Sequence, residues 1–347
     1  MTDNAIQPLL ALLAEGRHLS HDQATRAFQV IMNGGATPAQ MAAFLTALRM
    51  KGETVEEIAA GAEVLRLKAA KFSAPAEAMD TCGTGGDGRG TLNISTATAL
   101  VLAACGVPVV KHGNRAVSSA SGSADILEAL GAKIDVPPPL MERALQETNF
   151  CFLFAPRYHA ATRHVAPVRQ ELRFRTVFNL LGPLSNPAQP SRQLLGVFAP
   201  EWVEKMAQVL IALGTARAWV VHGHSGIDEL SLTGPSTVAE VTDGKMRLLQ
   251  ISPEDAGLRP SPLSALAGGS PAENAEKLTS LLISEKSPYR DAVLLNAAAG
   301  LVIADKAPDL RTGAAQAAET IDSGAALGVL RRFIGITQEH LATAKNG

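Results

Sequence analysis

Along residues 5–68 the apolar positions recur three and four apart, the period of a helix with one buried face. Ser20-x-x-Gln23 forms a capping box ahead of Ala24, Phe28 and Ile31, and Asn33-Gly34-Gly35 ends that helix. Thr37 followed by Pro38-Ala39-Gln40 opens the next, with Met41, Phe44, Leu45 and Leu48 on its inner side. Thr54-x-x-Glu57 caps a third, with Ile58 and Leu65 facing in. The expectation is a small helical bundle that needs a further surface, from the same chain or a second subunit, to bury its apolar side.

After Pro75 the period changes. Short apolar runs at "VPVV", "FCFLF", "LLGVF" and "AWVVH" alternate with helical stretches such as 95–105 and 202–213. That alternation predicts an α/β domain on a mostly parallel sheet. "TVAEV", Thr242-Asp243-Gly244 and "KMRLLQI" read as a hairpin, so the sheet is expected to be mixed. The fold class is therefore α/β, a small N-terminal helical domain followed by a larger α/β domain. No repeat of fixed period and no low-complexity segment interrupts it.

Composition supports a large core and argues against a bulk electrostatic partner: 46% of the 347 residues are apolar and the formal charge is −2. Nucleic acid and anionic membrane are thus not expected partners. Cys82, Cys105 and Cys151 lack metal-ligand spacing and read as reduced thiols of a cytoplasmic protein. "MTDNAIQPLL" has no basic n-region, so no signal peptide is expected, and the apolar runs are too interrupted to span a bilayer.

Candidate chemistry begins at "DTCGTGGDGRGTLNIST", residues 80–96. Ala78-Met79 reads as a strand end, the glycines as a loop, and Asn93-Ile94-Ser95-Thr96 as a helix start, which together make a plausible anion site. Gly83-x-Gly85-x-x-Gly88 matches a dinucleotide fingerprint, but no acidic residue occurs between Asp87 and Asp125 to take a ribose hydroxyl. The next strand runs instead into Lys111, His112, Gly113, Asn114 and Arg115, then a run of hydroxyls and small residues. Both loops suit a polyanion. Asp228-Glu229, after the strand "AWVVH", offers oxygen ligands of the kind Mg²⁺ prefers, although an ordinary acidic turn has the same sequence. Residues 157–175 hold Arg157, Arg163, Arg169, Arg173, Arg175, His159 and His164 with one acid, Glu171. Arg169 and Arg173 are expected four apart on a helix after Pro167, as a fork for a small carboxylate or as a solvated face. "FNLLGPLSNP" then reads as a hinge.

These motifs, with "AAFLTALRMKGET", "KHGNRAVSSASGSAD", "RHVAPVRQEL", "RTVFNLLGPLSNP" and "DEL", resemble the anthranilate phosphoribosyltransferases over nearly the whole chain. The resemblance implies the nucleoside phosphorylase–phosphoribosyltransferase fold, with a helical domain over 1–75 that dimerises, a return segment near 165–188, and an α/β domain over 76–347. It implies a cytoplasmic homodimer, Mg²⁺, and transfer of phosphoribose from 5-phosphoribosyl 1-diphosphate to anthranilate. Carried over by motif, the donor site is Gly83, Gly86, Asp87, Thr91, Asn93, Ile94, Ser95, Thr96, Lys111, His112, Gly113, Asn114, Arg115, Ala116, Val117, Ser118, Ser119 and Ser123. Anthranilate falls to Gly83, Asn114 and Arg169, the metal to Ser95, Asp228 and Glu229, and catalysis to Lys111 and His112. Lys111 would stabilise the leaving diphosphate; His112 would take the amine's proton or serve only structure. Two departures stand on the acceptor side: Ala160-Ala161-Thr162 in place of the usual Pro-Ala-Met, and Arg173 where a glycine is common. The competing readings are a pyrimidine nucleoside phosphorylase on the same fold and a non-catalytic nucleic-acid-binding relative. The intact "GTGGD", "NIST" and "DE" elements and the −2 charge count against the second.

Overall fold

The computed structural model describes residues 4–116 and 120–344. Four helices, Gln7–Ala14, His21–Met32, Pro38–Lys51 and Val55–Lys68, open the chain. Ser20, Thr37 and Thr54 each cap a helix with a reciprocal box to Gln23, Gln40 and Glu57. Glu57 does more than cap. Its carboxylate is fully buried and accepts from Leu19 N (2.8 Å), Thr54 N (2.9 Å) and Lys51 Nζ (2.7 Å), tying the bundle's loops together.

The bundle does not close on its own residues. Val165, Val168, Val177, Phe178, Leu180, Leu181 and Leu184 share its core, and Phe178 lies edge-on to Phe28 at 6.3 Å. Gly61 is needed at this joint. A Cβ there would meet the Phe28 ring at 2.8 Å and Leu181 at 3.1 Å.

Seven strands form one sheet: β1 Met79–Gly83, β2 Val109–Gly113, β3 Phe150–Phe154, β4 Arg192–Gly196, β5 Arg217–His222, β6 Ser236–Thr242 and β7 Lys245–Ile251. Their order is β3-β2-β1-β4-β5-β6-β7; the first five are parallel and the last two antiparallel. The chain winds outward from β1 to β3, then returns to lay β4 on the other side of β1. The winding reverses between β1 and β4, which is where open α/β sheets form a crevice beyond the strands' carboxyl ends. Residues alternate between two cores. Leu194, Trp219 and Val221 face helices Ile94–Ala104 and Pro288–Ile303, while Leu195, Ala218 and Val220 face helix Trp202–Ala212 and the bundle. The sheet is therefore the surface the bundle lacked. The β6–β7 turn places Asp243 (φ 50°) and Gly244 (φ 73°) in the left-handed region, as an Asp-Gly hairpin requires.

Three sequence expectations change. β1 begins at Met79, where the pattern had ended it, because Asp80 and Thr81 are buried in the strand and not exposed beyond it. β2 runs on through Lys111 and His112, which pattern alone had put in a loop; both polar side chains are buried. Helix Ala166–Leu172 stops before Arg173, which is its left-handed cap (φ 52°, ψ 20°), so Arg169 and Arg173 do not share a helical face. The left-handed backbone is the physical reason glycine suits this position. Arg173→Gly should stabilise the protein by about 0.5–1 kcal/mol, the left-handed penalty net of glycine's entropy. Denaturant unfolding checks it, and a lower midpoint for the variant would show that the arginine earns its place by contacts.

Candidate active site

Two paired glycines build the site. Gly83 and Gly196 are partners in register at the carboxyl ends of β1 and β4. A Cβ on Gly83 would lie 2.2 Å from Asp228 Oδ2, and one on Gly196 only 1.4 Å from the Asp228 carbonyl oxygen. The missing side chains leave a slot into which the segment after β5 folds. β5 ends at His222, Gly223 N donates to Ile227 O (2.9 Å), and Ser225 and Gly226 turn the chain at positive φ. Asp228-Glu229 is thereby set back over the crevice. Asn296, buried on helix Pro288–Ile303, holds the exit by accepting from Leu230 N (3.1 Å) and donating to Leu230 O (3.0 Å).

The glycine loop closes over this slot. Gly85, Gly86 and Gly88 take positive φ, and Gly85 N donates to Asp228 Oδ2 (2.7 Å). Arg175 reaches from the return segment to the Gly86 carbonyl and stacks on Phe198 at 4.3 Å, so the bundle side also touches the loop. One oxygen from each of Asp87, Asp228 and Glu229 can lie within 4.8 Å of the others. Burial, then the neighbouring carboxylates, push Glu229 well above the usual carboxylate range; burial and Asp87 raise Asp228 to about 6. Glu229 Oε2 is buried without a hydrogen-bond partner among the described residues. An all-oxygen donor set with clustered negative charge and an unsatisfied buried oxygen fits a hard divalent cation. Sequence reading had the Asp228-Glu229 pair but had placed Asp87 with the donor. Ser95 lies beside them: its backbone N–H stabilises the charged form of Glu229, and its Oγ accepts from Lys111 Nζ (3.3 Å).

Lys111 is 2% exposed and also donates to Thr81 O. Burial lowers its pKa; Asp80, Cys82, Glu229 and Asp228 act to raise it. Its strand neighbour His112 faces the other side of the sheet. There its ring packs on His159 at 5.0 Å, beside the Asp80 carboxylate that accepts from Asn186 Nδ2 (2.8 Å). Burial first, then His159, lowers the His112 pKa to about 3, so the ring is neutral and a weak base. Its place is that of a packed ring under the acceptor-side segment.

This has a stability consequence. The unfolded chain protonates His112 near pH 6.5, the folded chain only near 3, so the unfolded state binds more protons between them. Stability is lost as pH falls through that window. Asp80, raised by burial from 3.8 to about 6, works in the opposite direction across most of that window. Replacing His112 removes only the first effect. The stability gap between wild type and His112→Gln should narrow by on the order of 2 kcal/mol from pH 7 to pH 5. A gap independent of pH would mean that the folded ring carries a proton.

The remaining sequence candidates separate into groups. Gly113 is needed for close approach: a Cβ would meet Ser123 Oγ at 2.2 Å and the Phe152 ring at 2.9 Å. Asn114 O accepts from Ala124 N (3.2 Å), and Asp125 accepts from Ala116 N and Gly122 N (2.8 Å each), folding this loop onto helix Ser123–Ala129. Arg115 is engaged by Glu128 and Asp125 at the surface. Ile94 is buried in the core with its N–H on Leu92 O, and Thr96 is buried with no partner for Oγ1 among the described residues. Thr91 pairs with Ala267 and Asn93 is bonded on all sides, contacts that sequence reading missed. Val117, Ser118 and Ser119 lie outside the described residues. Arg169 is half-buried over the Phe178 ring at 5.2 Å, and its guanidinium has no hydrogen-bond or ion-pair partner among the described residues. The departure at Thr162 is locally satisfied, its Oγ1 donating to His159 O (2.7 Å).

A helical bundle set against a switch-point crevice of this kind defines a class. Residues 7–69 match the helical bundle domain of the glycosyl transferase family and residues 75–327 its a/b domain, and the chain belongs to that family. Within it the relatives are anthranilate phosphoribosyltransferases, and the chain is a member of that group. It is 57% identical to the Rhodospirillum rubrum anthranilate phosphoribosyltransferase, covering 96% of each chain, and 53% identical to that of Parvibaculum lavamentivorans, covering 97% and 98%. The crystal structure of the Thermus thermophilus enzyme superposes with a TM-score of 0.90 at 47% identity, covering 95% of this chain and 99% of that one. The Saccharomyces cerevisiae enzyme in complex with PRPP and Mg matches with a TM-score of 0.88 at 30% identity, covering 97% and 100%.

Proposed function

We infer that this chain transfers the phosphoribosyl group of 5-phosphoribosyl 1-diphosphate to the amine of anthranilate, giving N-(5-phosphoribosyl)anthranilate and diphosphate in tryptophan biosynthesis. The observation that carries the reading is the carboxylate cluster Asp87, Asp228 and Glu229 beneath a positive-φ glycine loop, with buried Lys111 alongside. The yeast relative bound to PRPP and Mg, and another of its structures bound to 4-fluoroanthranilate, support it.

In the reaction the C1–oxygen bond to diphosphate breaks, the anthranilate nitrogen bonds to C1, and the amine loses a proton. Negative charge grows on the leaving group. Magnesium, when bound, neutralises that charge as a Lewis acid. Ser95, Asp228 and Glu229 hold it, and Asp87 joins them. Gly83, Gly86 and Thr91, with Asn93 and Thr96, receive the donor, together with Lys111 and the Gly113–Ser123 loop. Lys111 keeps a cation where charge develops, already oriented by Thr81 O and Ser95 Oγ. Arg169 takes the anthranilate carboxylate, beside Gly83 and Asn114. His112 contributes a neutral wall. The bundle pairs two copies of the chain in the cytoplasm; Met50 and Leu67 stand 84% and 77% exposed on its helices, in keeping with that surface. Among the described residues no helix is long and apolar enough to cross a membrane.

The test is direct. Mixing the protein with 5-phosphoribosyl 1-diphosphate, Mg²⁺ and anthranilate should extinguish anthranilate fluorescence. Unchanged fluorescence, with phosphorolysis of thymidine or uridine instead, would replace this reading with the nucleoside phosphorylase.

A further inference from the structure

The far half of the glycine loop is held by a segment that carries none of the proposed chemistry. Thr91 and Ala267 form an antiparallel bridge, Leu92 N donates to Leu266 O (2.9 Å), and Gly268 N donates to Gly90 O (2.8 Å). Gly268 is required for this fit, since a Cβ there would lie 2.8 Å from Thr91 O. Immediately after it, Ser270 caps helix Pro271–Leu282 and brings Asn274 inward, 1% exposed.

Asn274 is engaged at both ends of its amide. Its Oδ1 accepts from Gly269 N (2.8 Å) and its Nδ2 donates to Asn93 Oδ1 (3.0 Å). Asn93 stands at the cap of the helix that follows the glycine loop. Its Nδ2 donates to Ser121 O (3.1 Å), its Oδ1 also accepts from Ser121 Oγ (3.3 Å), and its carbonyl accepts from Tyr289 OH (3.1 Å). Because Asn274 and Ser121 both donate to Oδ1, the Asn93 amide can face only one way, with its N–H₂ toward the second loop. One buried asparagine therefore couples three segments: the turn at Gly268-Gly269, the end of the glycine loop, and the loop after β2.

We propose that Asn274 is a positioning residue for donor binding, acting through the orientation of the Asn93 amide. The proposal deepens the phosphoribosyl diphosphate reading and rests on Asn93 belonging to the donor site. Asn274 touches no substrate. It fixes in advance the one side chain that spans both donor loops, so ordering them costs less when the donor arrives.

Asn274→Asp tests this with almost no change in volume. An aspartate still accepts from Gly269 N, which preserves the turn, but it cannot donate to Asn93 Oδ1. The donor KM should rise about five- to tenfold, the effect of one side-chain hydrogen bond, while the anthranilate KM changes less than about twofold. A double-mutant cycle with Asn93→Ala separates relay from packing. In the Asn93→Ala background, Asn274→Asp should leave the donor KM unchanged. An equal rise in both backgrounds overturns the relay, as does a lowered melting temperature with an unaltered donor KM. The single variant Asn93→Ala reports separately on the underlying reading: if it binds donor as wild type does, Asn93 is not a donor residue and the proposal falls with that assignment.

Discussion

Asp228→Ala combined with Glu229→Ala should lower kcat/KM by about a hundred- to a thousandfold, the cost of removing a group that stabilises charge developing in a transition state. The magnesium dependence of donor use should vanish with it. The structural ground is the crowding of carboxylates: Glu229 is pushed far up by burial and its neighbours, Asp228 to about 6, and Glu229 Oε2 has no hydrogen-bond partner among the described residues. Carboxylates whose folded pKa is raised oppose folding at neutral pH, because the unfolded chain ionises them more easily. The metal-free double variant should therefore melt no lower than the wild type, despite losing the acceptor for Gly85 N. Adding Mg²⁺ and donor should raise the wild-type melting temperature and leave the variant's unchanged. Scanning fluorimetry and steady-state kinetics give both readouts. Full activity with the wild-type magnesium profile would leave Asp228-Glu229 only a structural part in holding the glycine loop.

Arg169→Ala should raise the anthranilate KM by roughly ten- to a hundredfold, since a desolvated arginine–carboxylate contact is worth about 1.5–3 kcal/mol. The donor KM should move little. Five arginines fall between residues 157 and 175, and charge counting cannot choose among them. Contacts can. Arg157 is paired with Asp135, Arg175 is held by Gly86 O and Phe198, Arg173 is a helix cap, and Arg163 is exposed to solvent. Arg169 is half-buried on Phe178 with no anion to answer it among the described residues, and burial lowers its pKa. Even a partly buried guanidinium without a counter-charge carries a desolvation cost that a bound carboxylate would offset. Kinetics with each substrate varied decide the point. A parallel rise in both KM values would make Arg169 part of a shared network. A rise for the donor alone would move the acceptor site elsewhere.

What the sequence by itself determined about this protein is local. The capping boxes at Ser20, Thr37 and Thr54 began helices where predicted, and Asp243-Gly244 turned a hairpin. Such signals are satisfied within a few residues, so they survive without knowledge of the rest of the chain. The glycine loop, the Lys111 cation and the Asp228-Glu229 pair were legible as chemistry for the same reason: each is a run of unusual residue types. Their meaning as one site was not. Asp87 and Asp228 meet only because the sheet reverses its winding between β1 and β4, and because Gly83 and Gly196 fall in register there. Pattern put Lys111 and His112 in a loop, since polar residues usually leave a strand for water. Tertiary partners keep them inside: Thr81 O and Ser95 Oγ for the lysine, a ring-on-ring contact with His159 for the histidine. Asn274 carried no signal beyond a turn followed by a helix. Its bond to Asn93 spans 181 residues of sequence, and only the packing of helix Pro271–Leu282 beside the glycine loop brings the two amides together.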